Sequence, residues 1–139
     1  MKALGLLGQI EVPAQIAAVP RARRYVRDLL KGLDHPHTDD ALLLLTELVT
    51  NSVRHSDSGR CPGGRITIAV AHYDGTLHID VIDAGSTAGH HPLVRADVTT
   101  DSGGGRGLWL VRELSSAWGW YEILTGRVVW FQLGEGSPL

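Results

Sequence analysis

Apolar positions along the chain recur with two different periods, and the change from one to the other predicts most of its elements. Leu4–Val12 is apolar with interruptions and reads as a first strand closed by Pro13. From Pro20, a residue suited to the first turn of a helix, Ala22, Tyr25, Val26, Leu29 and Leu30 follow helical spacing and stop near Gly32. A loop follows, Asp34-His-Pro-His-Thr-Asp-Asp40. Thr38 is then expected to cap a second helix from Asp39 to about His55, with Asp39 and Asp40 at the positive end of its dipole. Leu42, Leu45, Val49 and Val53 mark the apolar stripe of that helix.

After the turn-rich stretch Ser56–Gly64 the period shortens to two. Ile66, Ile68 and Val70 lie on one face of a strand over Arg65–Tyr73. Asp74-Gly75 is a hairpin signal, and Leu77, Ile79 and Val81 share a face of the returning strand Thr76–Asp83. Nothing is periodic from Ala84 to Gly104, about twenty residues, and so long an irregular stretch in a compact domain is either a functional loop or a sign that an element there has been misread. Leu108, Leu110, Val111 and Leu114 then predict a helix from Gly105 to Ser116. Strands near Trp118–Leu124 and Val128–Leu133, joined by Thr125-Gly-Arg127, finish the fold, and Gly134–Leu139 reads as a tail. The order strand, helix, helix, hairpin, long loop, helix, hairpin, with two adjacent antiparallel hairpins, argues for an α+β layer and not a doubly wound parallel sheet.

At 139 residues the chain is expected to form one domain over 1–139, with 43% hydrophobic and 20% charged residues, as in a globular protein. A net charge of −2 gives no electrostatic case for nucleic acid. The local basic run Arg21-Ala-Arg-Arg24, with Arg27, reads as a solvated helix face. The single cysteine, Cys61, rules out an internal disulfide or a cysteine zinc cluster. No apolar run approaches a membrane span and no signal peptide is evident, so a reducing cytoplasm is the expected compartment.

Three segments carry candidate chemistry. Glu47, Asn51 and His55 are spaced i, i+4, i+8 and share one helix face. This stripe is either a solvated edge or a site in which the Asn51 amide oxygen ligates magnesium beside phosphates and the Glu47 carboxylate acts as a base. Asp83-Ala-Gly85 ends a strand either as a simple terminator or as an acceptor for an exocyclic amine, with Gly85 letting backbone pass close to a ring. Ser102-Gly-Gly-Gly-Arg-Gly-Leu-Trp109 is a glycine-rich hinge or a helix N-terminus that cradles phosphate. It is neither a P-loop nor a dinucleotide fingerprint. His35, His37, His90 and His91 lie in loops without metal-ligand spacing, and the four tryptophans read as core and edge packing.

In this order the three segments resemble the nucleotide site of the GHKL ATPases, with a closer likeness to the anti-sigma-factor serine kinase branch. Glu47-Leu-Val-Thr-Asn51-Ser-Val-Arg-His55 matches the N box and Asp83-Ala-Gly85 the start of the adenine box. Gly105-Arg-Gly-Leu-Trp-Leu-Val111 matches the second glycine box, and Gly126-Arg-Val-Val-Trp-Phe131 the final strand. The resemblance implies a two-layer Bergerat fold, with a mixed, largely antiparallel sheet, helices on one face, and residues 84–104 as an ATP lid. It implies ATP and Mg2+ as cofactors, with Glu47 as general base and Asn51 as metal ligand. Asn51, His55, Asp83, Gly85, Gly103, Gly104, Gly105, Arg106, Gly107 and Leu108 would line the nucleotide.

By the same resemblance the function would be a serine/threonine protein kinase acting as an anti-sigma factor towards an anti-anti-sigma partner. The alternative is a non-catalytic nucleotide-binding module. The likeness leaves room for a homodimer and, lacking a phosphoacceptor-histidine domain, argues against a complete sensor kinase. Two departures stand out: Asp83-Ala-Gly85-Ser-Thr87 lacks the second glycine of the adenine box, and Val128 stands where a threonine is often found near adenine.

Overall fold

The computed structural model describes residues 5–33, 35–86 and 111–134. Strand β1 (Leu6–Pro13) leads through a short 3-10 turn (Ile16–Ala18) into helix α1 (Val19–Lys31) and helix α2 (Thr38–His55). A one-turn helix α3 (Asp57–Arg60) precedes strands β2 (Arg65–Tyr73) and β3 (Thr76–Asp83), and the chain closes with β4 (Ala117–Ile123) and β5 (Gly126–Gly134). Residues 111–114 are helical, in agreement with the end of the helix expected there.

The five strands form one sheet in the order β1-β2-β3-β5-β4. Every pairing within it is antiparallel, where the resemblance implied a mixed sheet. The helix count explains this. Two long helices, α1 and α2, lie between β1 and β2 ahead of the one-turn α3, and Arg23 of α1 donates to the Leu42 carbonyl of α2 at 3.0 Å and to the Thr46 hydroxyl, as antiparallel neighbours joined by a short loop do. The chain therefore returns along β2 in the opposite sense to β1. Arg23 is thus a clamp between helices and not part of a solvated face.

The expected strand faces are the observed ones. Ile66, Ile68, Val70, Leu77, Ile79 and Val81 are all fully buried, and they meet Val26 and Leu30 of α1 and Leu44, Leu45 and Leu48 of α2 in one core. Strand β5 of the same sheet adds Val129, Phe131 and Leu133 to this core. Asp74 (φ 50°) and Gly75 (φ 79°) both take positive φ, the type I′ geometry that suits the twist of a two-residue hairpin.

Two local expectations are corrected. Thr38 is the first residue of α2 rather than its cap; its hydroxyl donates to the His35 carbonyl at 2.9 Å, and His37 holds the cap position. The β4–β5 turn is Leu124-Thr125, with Gly126 and Arg127 already inside β5, because both are drawn into contact with the end of β3. His35 is buried and structural: its Nδ1 accepts from the His37 amide at 3.1 Å, so its Nε2–H donates to the Gly75 carbonyl at 3.0 Å. Among the described residues no helix is long and apolar enough to cross a membrane.

Candidate functional site

Helix α2 carries the first half of the site. Ala41, Leu45, Leu48 and Ser52 mark its line of deepest burial, while Glu47, Asn51 and His55 are half-buried beside it. A residue every four positions advances about 40° around an α-helix, so this stripe winds toward the buried line as it runs to the C-terminus. The flank bearing Leu42 and Thr46 is taken by α1 through Arg23. Glu47, Asn51 and His55 occupy the flank turned away from α1.

The second half is the end of β3. Asp83 shares the parity of Ile79 and Val81, so its side chain points to the helix-covered face, where it is buried. Its Oδ1 accepts from the Gly85 amide at 2.7 Å, closing a tight turn that needs φ +74° at Gly85. Glycine reaches that conformation without steric cost.

Two hydrogen bonds bring the halves together, and a third shapes the link. The Ser58 hydroxyl accepts from the Ala84 amide at 2.9 Å, and the Asp57 amide donates to the Gly85 carbonyl at 2.7 Å. The Ser56 hydroxyl accepts from the Ser58 amide at 3.1 Å and shapes the link out of α2. The last turn of α2 is thereby tied to the Asp83-Ala-Gly85 turn, and the Asn51 and His55 end of the stripe comes alongside β3. The stretch Ser56–Gly64, expected only as turns, therefore has a positioning role. The spacing of three small polar residues after a helix was its only trace in the sequence.

From the other side, β5 closes on the same turn. The pairing of β3 with β5 places Asp83 opposite Arg127 and Ile82 opposite Val128. Val128 thus points to the sheet face away from Asp83, and the side chain that neighbours Asp83 is Arg127, with Nε 3.9 Å from Oδ1. Alternation along β5 puts Arg127, and not Val128, on the sheet face of Asp83. Gly126 lies against the Asp83 main chain.

A family model described as a histidine kinase-like ATPase domain matches residues 12–133. The chain belongs to this family, within the GHKL superfamily. No curated protein matches the chain. Histidine kinase-like ATPase domains of the GHKL type bind ATP, usually with Mg2+.

The residues present fit such ligands. In this ATPase domain a buried carboxylate is held at the mouth of a glycine turn, and a half-buried amide and carboxylate stand on the adjoining helix flank. Among the described residues no three His, Cys, Asp or Glu side chains converge to hold a metal. The half-buried Asn51 amide oxygen is a donor of the type that suits magnesium, which keeps phosphate and water oxygens as its other ligands. Gly103, Gly104, Gly105, Arg106, Gly107 and Leu108, with most of the lid expected over 84–104, lie outside the described residues.

Proposed function

We propose that this ATPase domain is a regulatory serine/threonine protein kinase of the anti-sigma-factor kind, which takes the γ-phosphoryl of ATP to a hydroxyl on an antagonist protein and also binds a sigma factor. The observation that carries this reading is the half-buried stripe of α2, with the Glu47 carboxylate and the Asn51 amide one turn apart, on a helix whose C-terminal end leads through Asp57 and Ser58 to the turn after the buried Asp83. A module that only bound nucleotide would need the amide and the adenine contact, but not a carboxylate where the attacking hydroxyl would lie.

Each residue has a role in that reading. Asp83 accepts the exocyclic amine of adenine, and the Cβ-free Gly85 lets the ring lie against backbone. Asn51 offers an amide oxygen to magnesium, which draws charge from the phosphates during transfer. Glu47 orients the incoming hydroxyl and takes its proton. Gly103 to Leu108 would present backbone N–H groups to the phosphates, as the resemblance implies.

Incubation with labelled ATP and magnesium, with and without candidate antagonist proteins, tests the reading. Label is expected on a serine or threonine of one antagonist. A folded sample that gives no calorimetric heat with Mg-ATP would remove the claim altogether. A sample that binds Mg-ATP and a partner yet transfers no phosphate would establish the second reading, a non-catalytic module, which draws on the absence of the second adenine-box glycine at Thr87.

A further inference from the structure

We propose that Arg127 is the positioning residue of the nucleotide site: it holds the Asp83 carboxylate in the orientation that receives the base. The inference rests on the reading of Asp83 as the adenine contact. Asp83 and Arg127 are directly opposite each other at the end of the β3–β5 ladder, and both are about nine-tenths buried or more, at 5% exposure each. A carboxylate and a guanidinium taken out of water together are costly unless they serve each other. The separation of 3.9 Å between Arg127 Nε and Asp83 Oδ1 puts the cation on the same oxygen that accepts the Gly85 amide.

One oxygen of Asp83 is therefore held from two sides, by a backbone amide ahead of it and by a cation across the ladder. Turning the carboxylate about its terminal torsion would break the Gly85 hydrogen bond and move Oδ1 away from the guanidinium. Oδ2 is the oxygen left to meet a ligand, and as an acceptor it selects a base edge that presents an N–H donor. A cross-strand neighbour can do this only from the same sheet face, which Arg127 has and Val128 lacks. Gly126, seated against the Asp83 carbonyl, sets the depth at which Arg127 enters.

A double-mutant cycle on ATP affinity tests the proposal, using the full chain and a titration with Mg-ATP. Arg127→Leu is expected to weaken ATP binding about tenfold, the size of one buried opposite charge lost beside the carboxylate. Arg127→Lys, which keeps a cation, is expected to stay within about threefold of wild type. In an Asp83→Asn background, Arg127→Leu should cost nothing further, because the group it positions has gone. A purely structural Arg127 would cost the same in both backgrounds, and that result, or an Arg127→Leu variant that binds ATP as wild type does, overturns the proposal while leaving Asp83 in place. An Asp83→Asn variant with wild-type affinity removes both the Asp83 reading and this one. If Arg127→Leu does not fold, Arg127→Gln, polar and of similar reach, completes the same cycle.

Discussion

A Cβ atom on Gly126 would fall 1.9 Å from the carbonyl oxygen of Asp83 and 2.9 Å from the Ala84 Cα. The obstruction is backbone, which cannot swing aside as a side chain can. Gly126→Ala is therefore expected to push β5 away from the end of β3, at a cost of about 2–3 kcal/mol. Urea denaturation measures this, and a variant as stable as wild type would show that the contact relaxes freely.

Asn51→Ala should separate binding from folding. Asn51 is half-buried on the flank of α2 turned away from α1, and the core of that helix is made by other residues. Its loss is expected to cost less than about 1 kcal/mol of stability. Mg-ATP affinity should fall by about tenfold or more, the cost of a lost ligand to a divalent ion beside phosphates. Titration calorimetry and a thermal melt on the same sample check both halves of the statement.

Glu47→Gln keeps the size and the hydrogen-bonding shape of the side chain while removing the basic carboxylate. If Glu47 is the base, ATP binding survives and phosphate transfer falls by about 10²–10⁴-fold, the usual contribution of a positioned proton acceptor. Transfer at the wild-type rate in a phosphorylation assay would take that role away from Glu47.

His35→Ala offers a control far from the site. It removes the bond to the Gly75 carbonyl and the acceptor for the His37 amide, leaving two backbone groups to find water. A loss of about 1–3 kcal/mol of stability is expected. The hairpin it secures is at the other end of β3 from Asp83, roughly 25 Å along the strand, so ATP affinity should not change. A fall in affinity that exceeds the loss of folded protein would show coupling between the two ends.

The elements themselves were legible because their signals are local. Alternation at Ile66, Ile68 and Val70 needs only neighbouring residues to be read, and the same strand is found from Arg65 to Tyr73. The i, i+4, i+8 placement of Glu47, Asn51 and His55 follows from helix geometry alone, and α2 does carry all three on one flank. Asp83-Ala-Gly85 was visible as a strand end, and the positive φ of Gly85 is the conformation that makes glycine useful there.

What sits beside Asp83 was decided by tertiary structure. Asp83 and Arg127 are far apart in sequence, and a shift of one residue in the β3–β5 register would have put Val128 in place of Arg127. Alternation specifies which residues of β5 share a face, but not which of them meets the end of another strand. That is set by the packing of Gly126 on the Asp83 carbonyl and of Val129, Phe131 and Leu133 in the core. The same holds for Ser58 and Asp57, whose bonds to Ala84 and Gly85 exist only once α2 has folded onto β3. The pattern along the chain thus determined the strands, the helices and the family of the site. Long-range packing, which no local period encodes, determined that a buried arginine stands behind the carboxylate.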